Sequence, residues 1–326
     1  MKKILTVMVL GILVFSGFGA SALSGKQNNS ISPGDYFRFI FVDGHFRSYR
    51  IHIPPGYNGE DSVPLVLMLH GAGTFCNSYI TQNIYHLNNK ADEQDFILVY
   101  PNGERMHRWY VFNMPFPLFE LWELMTWSRT WNFWDYNNID DVGFIQNLIS
   151  NLVSYLNINT SRIYVAGHSG GAMMAYRLGA ELSDVIAAIA PVSGSIGGSW
   201  NDGNEYIISN PLNPLSVIVI HGVKDEAVPY DGGWNNLTYL FRTSSSYSKS
   251  VNESVAFWVN HNQCESEPVI KTSPSGRVVI ENYINGRNGA EVVLYSYLDG
   301  DHGWNPTMEL SVNDIIWDFF EKHPKT

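Results

Sequence analysis

Arg162-Ile163-Tyr164-Val165-Ala166-Gly167-His168-Ser169-Gly170-Gly171-Ala172 is the stretch that decides how this 326-residue chain is read. Residues 162–166 are a short apolar run rich in β-branched and aromatic side chains, which predicts a buried strand. Residues 172–182 carry a helical pattern. Between them stands Gly167-His168-Ser169-Gly170-Gly171, a Gly-x-Ser-x-Gly turn from strand to helix. Such a turn closes only if the positions flanking the serine are nearly free of side chain. It sets Ser169 at a helix N-terminus, where the N–H of Gly170 can face a developing negative charge. Ser169 is therefore the candidate nucleophile.

Working outward, short apolar runs recur. Residues 47–53 alternate and end at Pro54-Pro55-Gly56. Residues 65–69 stop at His70-Gly71-Ala72-Gly73, and residues 96–100 at Pro101-Asn102-Gly103. Further runs fall at 185–192, 217–221, 278–284 and 292–298. Val142, Ile145, Leu148, Ile149, Leu152, Val153 and Leu156 lie at helical spacing, which predicts an amphipathic helix over 140–156. Residues 255–262 read as helical. Val312, Ile315, Ile316, Phe319 and Phe320 mark a last helix, with Ser311 and Asp314 as a cap pair. Strands alternating with helices predict an α/β chain: a mostly parallel central sheet with helices on both faces. In such sheets chemistry sits just beyond the carboxyl ends of the strands.

Those strand ends carry the remaining candidates. His70-Gly71-Ala72-Gly73 offers the backbone N–H of Ala72 as a second oxyanion donor beside that of Gly170, with His70 itself holding the loop. The loop after 217–221 carries Asp225, which can fix a histidine tautomer; Glu226 and Asp231 are its acidic neighbours. The loop after 292–298 is Asp299-Gly300-Asp301-His302-Gly303-Trp304, and His302 is the candidate general base. The order Ser169, Asp225, His302 is the chain order of α/β-hydrolase triads. Of the other histidines, His168 packs under the elbow and His221 is a structural residue at a strand end.

Composition removes several classes. Lys and Arg number 20 against 31 Asp and Glu, a net charge of −11, which leaves no electrostatic footprint for nucleic acid. Hydrophobic residues are 45% and charged residues 16%, so disorder is excluded as the main state. No repeat period appears, and there is no metal-ligand spacing and no dinucleotide fingerprint, so the chemistry is expected to need no cofactor.

The N-terminus reads as an address. Lys2 and Lys3 precede an apolar stretch over residues 4–18, and Ala20-Ser21-Ala22 offers a small-residue cleavage site. This predicts a secretory signal over 1–22 and a mature chain of 23–326 as one catalytic domain, with a charge of 18 − 31, or −13. An uncleaved membrane anchor is the other reading; without it the mature chain has no membrane to meet and is extracellular. The only cysteines are Cys76 and Cys264, 188 residues apart, and sequence does not decide whether they pair. It is equally silent on oligomeric state.

Together these segments resemble the secreted esterase family of polyhydroxybutyrate depolymerase-like and feruloyl or acetylxylan esterase-like enzymes. The resemblance rests on Arg47-Ser48-Tyr49-Arg50 with Pro54-Pro55-Gly56-Tyr57, residues 64–71, Asp140-Asp141-Val142-Gly143-Phe144-Ile145, residues 162–194, His221-Gly222 with Asp225 and Val228-Pro229-Tyr230, and His302 with Trp304. It implies an α/β-hydrolase fold, a serine carboxylic-ester hydrolase with the triad Ser169, Asp225 and His302, oxyanion donors at Ala72 and Gly170, and a small or polymeric ester as substrate. The candidate substrate contacts are His168, Trp131, Trp304 and Tyr230. Relatives often carry a Cys where this chain has Ala72, and a second Cys near Arg287 that pairs with the position of Cys264. Two rival readings share the fold: a serine peptidase and a non-catalytic binding protein.

An aromatic-rich insert over about 107–136 is the least family-like part, with eleven aromatic residues in thirty. It reads either as a cleft wall for an aromatic acyl group or polyester, or as extra core.

Overall fold

A computed structural model of the chain describes residues 31–73, 76–105, 129–135, 138–200, 205–239, 242–305 and 310–325. Residues 1–22, read above as a signal, and residues 107–128 and 136 of the aromatic insert lie outside the described residues.

The chain opens with the hairpin β1 (Gly34–Val42) and β2 (His45–Ile53), then β3 (Val63–Leu69), α1 (Ser78–Tyr85), α2 (Leu87–Gln94) and β4 (Ile97–Pro101). A two-residue pair follows, β5 (Glu104–Arg105) with β6 (Arg129–Thr130), and then α3 (Asp141–Tyr155), β7 (Ile158–His168), α4 (Gly170–Glu181) and β8 (Ala188–Val192). Next come β9 (Gly197–Trp200), β10 (Glu205–Ile207), β11 (Ser216–Gly222), β12 (Gly233–Tyr239) and β13 (Arg242–Ser248). The chain closes with α5 (Val251–Asn262), β14 (Val269–Thr272), β15 (Val278–Tyr283), β16 (Val292–Tyr297) and α6 (Val312–Lys322).

Ten strands form the main sheet in the order β1-β2-β4-β3-β7-β8-β11-β16-β15-β14. The six in the middle, β4 to β16, are parallel, and the outer four are antiparallel. β3, β4, β8 and β11 are buried at every position, as strands covered on both faces must be, so they carry the continuous apolar runs of the sequence. Two prolines mark ladder irregularities. The register of β3 on β7 shifts between Val63 and Leu65, around Pro64, and the β8–β11 pairing is interrupted near Pro191.

The core has two layers. One face of the sheet, with Leu67, Val165, Ile189 and Val219, packs against α3, α4 and α5 through Phe144, Leu148, Tyr176 and Trp258. The other face, with Met68, Tyr164, Ala190 and Ile220, packs against α2 and α6 through Leu87, Ile316 and Phe320. The predicted arrangement of helices on both faces is therefore present. The cap pair is present too, with Asp314 N–H donating to Ser311 Oγ at 3.3 Å.

The structure extends several predicted elements. α5 begins at Val251 rather than 255, because Ser250 and Glu253 form a reciprocal capping box. A second sheet, β10-β9-β13-β12, is antiparallel and was not predicted. Its sequences, such as Arg242-Thr243-Ser244-Ser245-Ser246-Tyr247-Ser248, carry no apolar period to read.

Candidate active site

The elbow is built by exclusion. Ser169 has φ 56° and ψ −121°, a conformation that costs of order 1–3 kcal/mol for a side-chain-bearing residue and needs surrounding structure to hold it. Its N–H donates to Val192 O at 2.9 Å and its carbonyl accepts from Met173 N–H at 3.0 Å, which anchors the turn to β8 and α4. A Cβ on Gly167 would collide with the carbonyl of Gly171, and one on Gly171 would lie 2.5 Å from His70 O. Both outer glycines of the motif are thus steric necessities: they let β7, α4 and the end of β3 meet.

The acid and base come from the ends of β11 and β16. Asp225 is 4% exposed. Its Oδ1 accepts from Ala227 N–H and Val228 N–H, both at 2.8 Å, which fixes the carboxylate plane. Its Oδ2 accepts from His302 Nδ1 at 2.8 Å, and His302 Nε2 lies 3.0 Å from Ser169 Oγ. With Nδ1 committed to the carboxylate, the lone pair of Nε2 faces the serine hydroxyl. Burial alone would raise the Asp225 carboxyl, but donors from His221 and His302, and their charge, hold it well below the usual carboxylate range. It therefore stays ionised and acceptor-only. The two loops interlock: Lys224 N–H donates to Gly300 O at 2.8 Å, and a Cβ on Gly222 would lie 2.5 Å from Asp301 O.

The oxyanion loop is held by His70. Its Nδ1 donates to Gly71 O at 2.6 Å and its Nε2 accepts from Gly103 N–H at 2.9 Å, so the partners fix the tautomer. Its ring stacks on Trp131, with centroids 4.8 Å apart, and Trp131 Nε1 donates to His70 O at 2.8 Å. Burial, reinforced by Arg129 and Arg47, pushes the His70 imidazole down to about 3. Ala72 then rests on the elbow. A Cβ on Gly170 would lie 2.7 Å from Ala72 Cβ and 2.9 Å from its N. The Gly170 N–H opens α4 and has no acceptor within the helix. The two candidate oxyanion donors therefore stand side by side next to Ser169.

Of the four residues expected to touch substrate, Trp131 and Trp304 are buried and His168 and Tyr230 are partly exposed. Trp131 and Trp304 are 0% and 4% exposed, so their rings contact protein and not a cleft. Trp304 stacks on Tyr85, with centroids 4.8 Å apart, and donates Nε1 to Asn313 Oδ1 at 2.8 Å. His168 Nδ1 meets Tyr85 OH at 2.9 Å, and its ring lies 4.9 Å from that of His302; burial, helped by the His302 charge, pushes it down to about 3. Tyr230 OH meets Ser296 Oγ at 2.6 Å, and its ring stands edge-on to His221. For Trp131 and Trp304 the physical reason is packing, since each fills space behind a strand-end loop, whereas His168 and Tyr230 remain partly exposed. Sequence reading missed Tyr85, which no motif marks, and gave His221 no link to the acid.

Trp131, Phe133 and Trp134 of the aromatic insert are 0%, 3% and 5% exposed and belong to the core. Both cysteines are free thiols, and burial pushes Cys76 up to about 11. Among the described residues no group of three or more His, Cys, Asp and Glu could hold a metal ion.

A serine on a strand–turn–helix elbow, with an aspartate and a histidine in hydrogen-bond reach at the carboxyl ends of parallel strands, is the arrangement of an α/β-hydrolase fold. A family model described as phospholipase/carboxylesterase matches residues 58–267, and the chain belongs to that family of carboxylic-ester hydrolases. It is 24% identical to a probable feruloyl esterase C of Aspergillus terreus over 333 residues, covering 98% of both chains. It is 29% identical to feruloyl esterase B of Piromyces equi over 180 residues, covering 53% of this chain but only 32% of that one. Among solved structures, an acetyl xylan esterase from Aspergillus awamori superposes with a TM-score of 0.56 at 14% identity, covering 88% of this chain and 99% of that one. A ferulic acid esterase from Anaeromyces mucronatus gives 0.52 at 16% identity, covering 92% and 93%. At these identities the superpositions speak to fold alone.

Proposed function

We propose that this chain is a secreted serine esterase that works through an acyl-enzyme on feruloyl or acetyl esters of carbohydrate, or on a polyester. The observation that carries the reading is the continuous line from Asp225 Oδ2 through His302 to Ser169 Oγ, with contacts of 2.8 and 3.0 Å. In this mechanism His302 Nε2 takes the Ser169 proton as Oγ attacks the ester carbonyl. The N–H groups of Ala72 and Gly170 receive the oxyanion, a donor of this kind contributing about 3 kcal/mol. His302 returns the proton to the leaving alkoxide, and water then attacks the acyl-Ser169 ester with His302 again as base. Asp225 holds the tautomer throughout. The names of the relatives favour aromatic or acetyl acyl groups. In the same reading residues 1–22 direct export and 23–326 form the catalytic domain; no described helix is long and apolar enough to cross a membrane.

The test is hydrolysis of p-nitrophenyl acyl esters, methyl ferulate, acetylated xylan and polyhydroxybutyrate by residues 23–326 beside Ser169→Ala. The expected result is ester cleavage that falls more than about a thousandfold in the variant, with circular dichroism unchanged. Equal rates in both proteins would remove Ser169 as nucleophile. Cleavage of peptides but not esters would move the reading to a peptidase.

A further inference from the structure

His221 sits at the end of β11, fully buried, behind the Asp225 carboxylate. Its Nε2 lies 2.8 Å from Val228 O and 3.2 Å from Asp225 Oδ2. A carbonyl oxygen can only accept, and the Asp225 carboxylate is held ionised and can only accept. Both partners therefore require the proton of His221 on Nε2. Its Nδ1 is buried with no hydrogen-bond partner among the described residues. A buried imidazole leaves one nitrogen unpaired at a cost, so this ring is not placed to satisfy itself. Tyr230 stands edge-on to it at 5.8 Å and fixes its plane, and Tyr230 is in turn tied to β16 through Ser296.

The Asp225 carboxylate thus has four donors. Two backbone amides hold Oδ1; on Oδ2 the His302 Nδ1–H is joined by His221 Nε2–H, which is shared between Val228 O at 2.8 Å and Oδ2 at 3.2 Å. Without His221, Oδ2 would concentrate its charge on His302 alone, and the loop over 222–230 would lose its tie to β11 through Val228.

We propose that His221 is a positioning residue for catalysis: its Nε2–H aims Oδ2 at His302 and tempers the carboxylate that His302 feels. The proposal rests on the triad reading given above. It differs from simple loop packing in what it does to the base. Removing the donor leaves a more basic carboxylate, which stabilises the protonated form of His302 and moves the acid limb of kcat/KM to higher pH. The other titratable groups around the pair are His168 from the end of β7 and Tyr230 from the acid loop, with the exposed Lys224–Asp299 ion pair beyond them. A substitution at 221 removes a ring that also acts electrostatically on His168 and that Tyr230 packs against, and it leaves the Lys224–Asp299 pair in place.

The experiment compares His221→Leu and His221→Gln in residues 23–326 on a soluble p-nitrophenyl ester. Glutamine can set an N–H donor near the place of Nε2; leucine cannot. His221→Leu is expected to lower kcat by about 10- to 100-fold with KM within about twofold, and to move the acid limb upward. His221→Gln is expected to recover most of the rate and the original profile. In an Asp225→Asn background, adding His221→Leu is expected to cost much less than in wild type, because the carboxylate it serves is gone. The proposal is overturned if His221→Leu keeps kcat within twofold, if its pH profile stays in place, or if the loss is equally large beside Asp225→Asn, which would assign His221 to loop packing through Val228. Should His221→Leu fail to fold by circular dichroism, the Gln variant decides alone: a large kcat loss in a folded protein whose acid limb has not moved also overturns it. Failure of the triad reading itself shows separately, as full activity in Ser169→Ala.

Discussion

Gly170 carries a larger share of the proposed chemistry than its size suggests. In the proposed mechanism it supplies one oxyanion N–H, and its missing Cβ is what lets the Ala72 backbone, the other proposed donor, come alongside. Gly170→Ala places a methyl 2.7 Å from Ala72 Cβ, so the loop must retreat. The expected outcome is a kcat loss of about 10²- to 10³-fold, the effect of removing one oxyanion donor, with KM nearly unchanged and unfolding stability changed by less than about 2 kcal/mol. Steady-state kinetics beside urea unfolding would check it; a variant with wild-type kcat would mean that Ala72 takes no part.

Among the elements, the hairpin, helix α3 and the Trp131 segment meet at one buried ion pair. Arg47 Nη2 lies 2.5 Å from Asp141 Oδ1, and the two side chains are 5% and 1% exposed. Asp141 Oδ2 also accepts from Asn132 N–H at 2.7 Å, beside the Trp131 that backs His70. Arg47 further covers the Phe144 ring at 4.0 Å. Asp141→Ala leaves the guanidinium buried without its carboxylate and is expected to cost about 3–5 kcal/mol in urea unfolding. It should also lower kcat through the loosened His70 loop. A loss below about 1 kcal/mol would show that Glu104, whose carboxylate lies 3.9 Å from Arg47 Nε, takes over the guanidinium.

The elements also show what sequence can and cannot reveal. Strands buried on both faces, such as β3 and β11, write their burial as unbroken apolar runs, so their ends were legible, and Ser169, Asp225 and His302 with them. The Ser- and Asn-rich strands of the second sheet write nothing comparable. Nor does residue type tell which way a side chain points. Trp131 and Trp304 could be placed near the site by their loops, yet only packing reveals that they back it. For the same reason His221 and His70 looked alike in sequence, although one holds the acid and the other the oxyanion loop.

At the scale of the whole molecule, buried histidines make stability depend on acid. His70 and His168 have values near 3 in the folded protein, against about 6.5 when exposed in the unfolded chain. Between those limits the unfolded chain binds more protons, so stability falls as pH drops from about 6.5 towards 3, by up to roughly 1.4 kcal/mol per pH unit for each histidine. Asp225, held low in the fold, adds a further loss below about pH 4. The urea midpoint is expected to be level near neutrality and to fall steeply between pH 6 and 4. A flat midpoint over that range would mean that these rings are solvated.

The spacing of the triad has a consequence for how the chain comes to life. The proposed nucleophile and base, Ser169 and His302, are 133 residues apart and hang from β7 and β16, with β8 and β11 between them in the sheet. These are non-local parallel pairings, the slow kind to close. In refolding, far-ultraviolet circular dichroism should recover first and hydrolysis last, as stopped-flow and timed assays would show; simultaneous recovery would contradict this. A growing or clipped chain can therefore hold its elbow and helices and still be inert. Under the proposed mechanism, hydrolysis waits until the carboxy-terminal strands that carry Asp225 and His302 have docked, so the order in which the sheet is completed sets when the chain becomes active.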